Sequence, residues 1–456
     1  MQIKKALVLG MARSGAAAAR LLLEHGCEVT ITDLKTKEEF AGALDDLNVQ
    51  GVHWRLGEKD PLPLLEGMDA LILSPGIPDT HPAVLLAREM GIEVMGELEY
   101  AYRESTGLLL AVTGTNGKTT TCTLLGEIFK NAGRRTWVVG NIGAPYAQAA
   151  LKMRAGDVTV CEVSSFQLET VSQFHPAVAA VLNVTEDHLN RHGTMEKYIA
   201  LKERIFENCR EGDFVVLNYD NAVTRAMAAH ARGKVVWFSR SGEATSGALV
   251  RDGKIIFEDE GGARAVCTVE EIALPGPHNL ENALAATAMA LSAGIPAPVV
   301  RHTLRAFQGV EHRLEFVREL DKVRYINDSK GTNVDSTLWA VRSMTAPTVI
   351  ILGGSYKKAD YHPLGRELLR GNITNAVLIG DTADSIEAAL KDEGFTNCVR
   401  AGHDFEKAIA VARALAAPGG NVLLSPACAS FDMFTDYEAR GREFKRIVKD
   451  LESNMS

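Results

Sequence analysis

The sequence predicts an α/β protein with three domains. Its 456 residues leave room for about three domains at roughly 150 residues each. Short apolar runs alternate with segments of helical periodicity along the whole chain, as strands and helices do in α/β proteins. A glycine-rich loop, Thr113 to Thr120, stands between one such strand and one such helix. We expect domains over residues 1–95, 96–309 and 310–456.

Composition and charge favour small-molecule partners. The chain is 46% hydrophobic and 23% charged, so it has ample core, and its net charge of -9 argues against a nucleic-acid-binding surface. No apolar stretch approaches the roughly 18 residues of a membrane span, and the N-terminus lacks a signal-peptide layout. Seven scattered cysteines without a Cys-x-x-Cys pair fit a reducing compartment. We therefore expect a cytoplasmic protein, monomeric, with no nucleic-acid partner and no membrane span.

The first block opens as a βαβ unit. Its pattern predicts a strand over 6–9, a helix over 14–25 and a strand over 28–33. A further strand over 70–73 leads into the rigid turn Ser74 to Pro78. Ligands of α/β sheets bind at such strand ends, so this turn is a candidate binding loop.

The loop after the first strand indicates a nucleotide-linked ligand. Gly10 to Gly15 resembles the dinucleotide fingerprint, with Ala12 in place of its middle glycine. Asp33 ends the second strand, where a ribose is often held. Because Ala12 crowds the place where a pyrophosphate passes closest to the backbone, another nucleotide-linked ligand is favoured over NAD.

The glycine-rich loop predicts an ATP site. Gly114 and Gly117 let the backbone wrap an anion, Lys118 adds a positive charge, and the Thr119 hydroxyl can reach a magnesium ion. Val112 stands where the usual pattern has its first glycine, so only the second half of that pattern is met. The alternative is a tight turn without a ligand.

Five further residues in the second block are candidates from their context. Glu162 ends a buried-strand pattern. An unpaired carboxylate is unfavourable in an apolar strand, so we expect Glu162 to face a cation; the alternative is an exposed carboxylate at the strand end. His188 follows another strand of the same sheet, although lone histidines are usually structural. Lys202 lies on a helix predicted over 196–209, and by itself a lysine there suits a solvated surface. Asn279 and Asn282 share one face of a helix, where N-capping is the ordinary explanation.

The third block again alternates strands and helices. The predicted strands cover residues 323–327, 347–353, 376–380 and 421–424. The loops that follow carry the polar residues, over 328–333, 353–360 and 425–430.

Five motifs together resemble one family. They are Thr113-Gly-Thr-Asn-Gly-Lys-Thr119, Asn183-Val-Thr-Glu-Asp-His188, His312-Arg313, Asp328-Ser-Lys-Gly-Thr-Asn333 and Ser425-Pro-Ala-Cys-Ala-Ser430. In this order and spacing the chain closely resembles the Mur ligases of bacterial cell-wall (peptidoglycan) synthesis, over essentially its whole length. The last two motifs are characteristic of the member that adds D-glutamate.

The resemblance implies a fold and a reaction. The fold would be a Rossmann-like UDP-binding domain, a central P-loop ATPase domain with a mostly parallel sheet, and a Rossmann-like C-terminal domain that binds the amino acid. ATP would phosphorylate the carboxylate of UDP-N-acetylmuramoyl-L-alanine, and the amine of D-glutamate would attack the acyl phosphate to form an amide. The implied cofactors are ATP and Mg²⁺, with two magnesium ions.

The resemblance also implies parts for individual residues. ATP would be bound by Gly114, Thr115, Asn116, Gly117, Lys118, Thr119, Thr120, Asn279, Asn282, Arg313, Asp328 and Lys330. One magnesium would be held by Thr119 and Glu162, and the second by His188 and a carbamylated Lys202. The UDP-linked substrate would be bound by Ser14, Asp33, Ser74, Pro75, Gly76, Asn141 and His188. D-Glutamate would be bound by Thr332, Lys357, Ser430, Phe431 and Phe434. The catalytic residues would be Lys118, His188, Lys202, His312 and Lys330.

Two positions depart from the family pattern. Ser355 stands where members often carry Asp, and Gly10 to Gly15 is less glycine-rich than in some members.

The alternative functions are those of another Mur ligase, a folylpolyglutamate synthase, and a nucleotide-gated binding protein without ligase activity. The first block argues against the folate enzyme, which needs no UDP-binding domain, and the polar loops of the third block argue against a simple switch.

Overall fold

The computed structural model describes residues 3–37, 40, 52–274, 276–355 and 359–453. It divides the chain into two compact units, Met1–Phe307 and Gln308–Ser456. Three sheets, mostly parallel and flanked by helices, confirm the predicted α/β class. The predicted domain boundaries at residues 95 and 309 stay predictions.

The first unit begins with a five-stranded parallel sheet. Its strands are β1 (Lys5–Leu9), β2 (Glu28–Asp33), β3 (Val52–Leu56), β4 (Ala70–Leu73) and β5 (Glu93–Gly96). Their spatial order is β3-β2-β1-β4-β5. The accompanying helices are α1 (Arg13–Glu24), α2 (Pro82–Glu89) and α3 (Glu97–Glu104). The carboxyl ends of β1, β2 and β4 meet at one edge, which brings the loops after residues 9, 33 and 73 together.

The same unit contains a nine-stranded central sheet. Its strands are β6 (Leu108–Thr113), β7 (Thr136–Gly140), β8 (Val158–Glu162), β9 (Val178–Val181), β10 (Phe214–Asn218), β11 (Lys234–Ser239), β12 (Gly247–Arg251), β13 (Lys254–Asp259) and β14 (Gly262–Thr268). Their order is β14-β13-β12-β11-β10-β9-β6-β8-β7. The helices are α4 (Lys118–Asn131), α5 (Tyr146–Ala150), α6 (Ser165–Leu168), α7 (Leu189–His192), α8 (Met195–Glu203), α9 (Ala222–Met227), α10 (Pro277–Ser292) and α11 (Ala297–Ala306).

Two features of the central sheet differ from the sequence pattern. The helix predicted over 196–209 ends at Glu203 and continues as a 3-10 turn, Arg204–Phe206, which sends Ile205 and Phe206 into the core. The three last strands form an antiparallel extension that the pattern did not reveal. Its first turn holds Asp252 and Gly253 at positive φ, and this Asp-Gly pair is the usual sign of a tight hairpin.

The second unit is built on a six-stranded sheet. Its strands are β15 (Glu315–Leu320), β16 (Val323–Asn327), β17 (Thr348–Gly353), β18 (Ile373–Ile379), β19 (Cys398–Gly402) and β20 (Asn421–Leu424), in the order β15-β16-β20-β17-β18-β19. The helices are α12 (Val334–Arg342), α13 (His362–Arg370), α14 (Ala383–Asp392), α15 (Phe405–Leu415) and α16 (Tyr437–Asp450). Only β15 is antiparallel to its neighbour in this described sheet.

Burial on both faces explains the continuous apolar runs of the parallel strands. All four residues of β4 and of β20 are buried, and helices cover both faces of each sheet. Such strands have no polar face, so they read as uninterrupted hydrophobic segments. Within the described part of the chain, no helix combines the length and the apolar character needed to cross a membrane.

Candidate active site

The phosphate loop lies between the central strand β6 and the N-terminus of α4. Gly117 caps the helix with a φ of 84°, in the left-handed region, and a Cβ there would collide with the side-chain oxygen of Asn282. Both facts require glycine at this position. The 14-residue helix directs its first N–H groups toward the loop, which is the arrangement that binds phosphate.

Two lysines converge on the carbonyl of Gly114. Lys118 Nζ donates to the Gly114 oxygen at 2.8 Å and to the Thr115 oxygen at 2.9 Å. Lys202 Nζ donates to the same Gly114 oxygen at 2.9 Å from the helix α8. Lys202 is only 1% exposed, and burial, followed by the charge of Lys118, lowers its pKa well below the usual lysine value. The bland expectation of a solvated surface lysine is therefore wrong for Lys202.

The segment after β9 fixes the phosphate loop. Asn183 accepts the Asn116 N–H at 2.8 Å with Oδ1, and its Nδ2 donates to the Asn116 carbonyl at 3.2 Å. Thr115 Oγ1 accepts the Thr185 N–H at 3.1 Å. Tyr198, on α8, places its hydroxyl 3.3 Å from the same Thr115 oxygen. The two loops thus form one hydrogen-bonded structure.

Glu162 offers an unpaired oxygen beside the loop. It ends β8 and pairs in register with Val112 on one side and Gly140 on the other. Asn141 Nδ2 donates to Glu162 Oε1 at 2.8 Å, while Glu162 Oε2 is buried without a hydrogen-bond partner among the described residues. An ionised carboxylate is rarely buried unpaired, and hard cations prefer such oxygens. Together with the buried Thr119 in the first turn of α4, this donor set fits a magnesium ion.

His188 lies in the segment between β9 and α7. Its φ is 52°, it is the N-cap residue of the short helix α7, and its ring centroid lies 5.0 Å from that of Phe166. The side chain is 48% exposed, so the ring remains accessible to a ligand. The neighbouring Asp187 lies close enough for its charge to act on Lys202. His188 and Lys202 therefore belong to one region, although they come from separate elements.

The two predicted asparagines of α10 have different settings. Asn282 is buried, and its Oδ1 accepts the Thr121 hydroxyl hydrogen bond at 3.4 Å behind the phosphate loop. Asn279 lies one turn earlier and is half-buried. Gly276, and neither asparagine, occupies the N-cap of this helix, so the capping interpretation is wrong. Their contact with adenine stays a prediction.

The loops of the first sheet hold one another. Asp33 accepts the Met11 N–H at 2.7 Å and the Lys35 N–H at 3.0 Å, so its carboxylate shapes the loop between β1 and α1. Gly10 has a φ of 91°, and a Cβ there would collide with Ser74. Ser14 lies in the first turn of α1, half-buried.

Two arginines connect these loops to the central sheet. Arg13 donates to the Gly143 carbonyl at 2.8 Å, in the segment that carries Asn141. Arg191, in α7, donates to the Gly76 carbonyl at 3.0 Å, in the turn that holds Ser74 and Pro75. The loops predicted for UDP and the edge predicted for the substrate carboxylate are thus directly linked.

The second unit carries a separate cluster of predicted residues. Asp328 is 4% exposed, accepts the Ser425 hydroxyl at 2.6 Å, and has a pKa raised to about 6 by burial. His312 is also buried, with Nδ1 2.9 Å from Asn327 Nδ2, and burial lowers its pKa. His312 therefore lies in the interior of this unit, beside the positive-φ turn that leads to Arg313.

The remaining predicted residues of this unit occupy two loops. Lys330 and Thr332 follow β16 and are both half-buried. Ser430 is buried and its carbonyl accepts the Phe434 N–H at 2.8 Å, while Phe431 is 74% exposed. Lys357 lies outside the described residues.

Sequence reasoning missed Arg440, which joins those two loops. The side chain is completely buried on α16 and donates to the Ser329 hydroxyl and carbonyl at 2.9 Å. It also donates to the carbonyls of Cys428 at 3.1 Å and Ala429 at 3.2 Å. Burial lowers its pKa to about 10. Because Arg440 is one of several charged residues on α16, its burial could not be predicted from the sequence.

Comparison with known proteins matches this architecture along nearly the whole chain. Three family models apply: the Mur ligase MurD-like N-terminal domain over residues 4–96, the Mur ligase middle domain over 112–290, and the Mur ligase glutamate ligase domain over 312–428. The solved structures of MurC from Thermotoga maritima and MurF from Acinetobacter baumannii share the fold. Their identities are 19% and 18%, with TM-scores of 0.56 and 0.57, and the matches cover 98% and 96% of this chain and 99% and 93% of theirs.

Curated relatives are much more similar in sequence. The UDP-N-acetylmuramoylalanine--D-glutamate ligase of Pelotomaculum thermopropionicum is 48% identical over 448 residues, covering 98% of both chains. The enzymes of the same name from Thermoanaerobacter pseudethanolicus and Clostridioides difficile are 43% and 40% identical over 450 residues, covering 98% of this chain and 98% and 99% of theirs. The phosphate loop, the three sheets and these full-length matches lead to one conclusion: the chain belongs to the Mur ligase family, among the UDP-N-acetylmuramoylalanine--D-glutamate ligases.

Proposed function

We propose that this chain joins D-glutamate to UDP-N-acetylmuramoyl-L-alanine, with cleavage of ATP to ADP and phosphate, in peptidoglycan precursor synthesis. The observation that carries the proposal is 48% identity over nearly the full length to a ligase of that name. The phosphate loop with its adjoining buried carboxylate supplies the matching chemistry.

The reaction proceeds in two steps on the substrate. A carboxylate oxygen of the UDP-linked substrate attacks the γ-phosphorus of ATP, ADP leaves, and an acyl phosphate forms. The neutral amine of D-glutamate then attacks the carbonyl carbon, its nitrogen gives up one proton to solvent, and the tetrahedral intermediate loses phosphate to give the amide. Lys118 and the N–H groups at the start of α4 stabilise the charge that gathers on the transferred phosphoryl group.

Magnesium fits the donors beside the loop. Thr119 and Glu162 would hold one ion, and when bound it would neutralise charge on the β- and γ-phosphates. Asn141 orients the Glu162 carboxylate through its 2.8 Å hydrogen bond. His188, half exposed at the same edge, would contribute to a second ion and to the substrate carboxylate.

Lys202 is proposed to carry a carbamate. An ammonium group beside a cation site would repel the ion, and desolvation already disfavours the charged lysine. The neutral amine adds to carbon dioxide, forming an N–C bond and releasing one proton, and the product is an anionic oxygen ligand of the kind magnesium prefers. The full burial of Lys202 protects this labile group from water.

The second unit is proposed to bind the amino acid. Thr332, Ser430, Phe431, Phe434 and Lys357 are the candidate contacts. Hydroxyl donors and one cation suit the two carboxylates of D-glutamate on a short side chain. Arg313, Asp328 and Lys330 are the residues of this unit proposed to bind ATP, and His312 and Lys330 are proposed to be catalytic.

A cytoplasmic location and a monomeric state complete the proposal. All seven cysteines are free thiols, and six of them are buried. Unpaired cysteines in this number suit a reducing compartment. The MurD-like N-terminal model over residues 4–96 supports a UDP-linked substrate over a folate.

The deciding experiment is phosphate release with one amino acid at a time. Purified protein receives ATP, Mg²⁺ and UDP-N-acetylmuramoyl-L-alanine, then D-glutamate, L-glutamate, L-lysine or diaminopimelate. We expect D-glutamate to support fast release and the others to support little. Faster release with L-lysine or diaminopimelate would show that the assignment of the amino acid is wrong.

A further inference from the structure

A small cavity lies between the first sheet and the central sheet. Ser74, Gly96, Glu97, Phe166 and Gln167 contribute to its lining. The centre of a water-sized sphere can occupy about 10 Å³ within it, which is the room that one water molecule needs. The cavity adjoins the turn that is proposed to bind UDP.

Two of its lining residues have buried oxygens without partners. Glu97 is 1% exposed; its Oε1 accepts the Ala147 N–H at 2.7 Å and the Tyr146 N–H also acts on the carboxylate, while Oε2 has no partner in hydrogen-bond geometry among the described residues. Ser74 is 5% exposed, and its hydroxyl is likewise unpaired there. Buried polar groups nearly always have a hydrogen-bond partner, so two unpaired oxygens around one small cavity point to a group that bridges them.

We propose that one ordered water molecule bridges Glu97 Oε2 and Ser74 Oγ, and that Glu97 is thereby a positioning residue for the turn that binds the UDP-linked substrate. A buried water typically makes two to four hydrogen bonds with groups of this kind. The proposal rests on the proposed function, because it takes Ser74 as part of the UDP-binding turn.

The other oxygen of Glu97, Oε1, binds the Ala147 N–H and so connects Glu97 to the segment next to the proposed magnesium site. Ala147 lies in the first turn of α5, directly after the segment that carries Asn141 and Gly143. Asn141 holds Glu162, and Gly143 accepts the bond from Arg13. One buried carboxylate therefore ties the substrate turn to the segment that orients the proposed magnesium ligand.

The first test is a high-resolution crystal structure of the protein without substrate. We expect a water within about 2.7–3.2 Å of both Glu97 Oε2 and Ser74 Oγ. A dry cavity, or a direct bond from Glu97 Oε2 to another residue, would overturn the proposal. This test needs no variant and so does not depend on whether a substituted protein folds.

The second test measures binding of UDP-N-acetylmuramoyl-L-alanine by calorimetry, without ATP or D-glutamate. Glu97→Leu removes the bridged hydrogen bond and also the acceptor of the Ala147 N–H, so the Kd should rise at least about three- to tenfold, clearly more than the KM for ATP. Glu97→Gln, whose amide can still bond to the water, should restore the Kd to within about twofold of the original. Glu104→Gln, an exposed position on the same helix, is the matched control.

The outcomes separate the two proposals. If the unaltered protein fails to bind the UDP-linked substrate, the proposed function fails. If it binds and Glu97→Leu binds equally well, the positioning role of Glu97 fails. Parallel losses in substrate binding, ATP affinity and kcat would mean a general structural role and would also overturn the inference.

Discussion

Lys118 and Lys202 donate to the same carbonyl oxygen, that of Gly114, at 2.8 Å and 2.9 Å. Lys118 lies on the phosphate loop, where ATP would supply a counter-charge, whereas Lys202 is buried behind it. Burial and the repulsion between the two side chains both favour the neutral form of Lys202. The two lysines that share one acceptor therefore differ in burial, and only for Lys202 does burial favour the neutral amine.

Lys118→Ala should abolish most ligation while leaving the fold intact. Loss of one stabilising contact to a transition-state oxyanion typically lowers the rate about 100- to 1,000-fold. Lys130→Ala, an exposed position on the same helix, should keep its activity. Phosphate release gives the rate and thermal unfolding reports the fold. Near-normal turnover of a folded Lys118→Ala protein would contradict the phosphate-loop assignment.

Lys202→Ala should lose most activity and regain part of it with acetate. The small carboxylate would occupy the position of the carbamate and restore an anionic oxygen near His188. Lys197→Ala, on the exposed face of the same helix, is the control and should respond to neither change. A high-resolution map of the active, metal-loaded protein at neutral pH decides the chemistry, because an unmodified ammonium at Lys202 there would rule out the carbamate.

Asn141→Ala should raise the magnesium concentration that gives half-maximal rate. The amide orients Glu162 Oε1, and loss of such a supporting hydrogen bond commonly lowers metal affinity about 10- to 100-fold. Initial rates over a magnesium titration measure the effect, with the maximal rate largely recovered at high concentration. An unchanged titration curve would show that this hydrogen bond does not support a metal ligand.

Glu97→Gln should make stability less dependent on pH. Burial raises the pKa of Glu97 from 4.5 to about 7, and the buried Cys161 is a titratable neighbour whose own pKa is raised. Between pH 4.5 and pH 7, Glu97 holds a proton in the folded chain that it has lost in the unfolded chain. The free energy of unfolding therefore falls as the pH rises through this range, by about 3 kcal/mol in total.

Denaturant titrations at pH 5 and pH 8 measure this difference. The Gln variant should lose most of it and be the more stable protein at pH 8. Glu104→Gln should keep the pH dependence of the original chain. A Gln variant with the original pH dependence would assign the effect to other groups.

Arg440→Lys should destabilise the second unit and weaken D-glutamate binding. A lysine ammonium cannot replace the planar fork that reaches Ser329, Cys428 and Ala429, and each carbonyl left unpaired costs about 1–3 kcal/mol. The KM for D-glutamate should rise while the KM for ATP changes less. Arg442→Lys, exposed on the same helix, is the control. Equal stability of the two variants would contradict this role.

Strand positions were predictable because parallel strands buried on both faces leave continuous apolar runs. The predicted strands over 70–73 and 421–424, in which every residue is buried, agree with the observed bounds. The strand over 323–327 agrees as well, although Arg324 within it is exposed. The loops at their ends could be recognised because phosphate binding demands glycine and lysine at fixed spacing.

Long-range burial could not be read in the same way. Glu97 and Glu99 look like the exposed acidic start of a helix, yet both are buried. Apart from the Arg103 side chain, which donates to Glu99, their partners are backbone N–H groups about 50 to 75 residues away, at Ala147 and Ser172 to Phe174. A backbone donor exists at every residue except proline, so it leaves no trace in the sequence.

The two arginine contacts between the first sheet and the central sheet limit how the protein can be recombined. Arg13 reaches from the first sheet to Gly143, and Arg191 reaches back to Gly76, so each side supplies one donor and one acceptor. Consider a chimera that takes residues 1–96 from another ligase. It keeps both hydrogen bonds only if the new segment has an arginine that reaches the Gly143 carbonyl and a backbone carbonyl that Arg191 can reach. Modular exchange at this junction therefore requires paired changes on both sides of it.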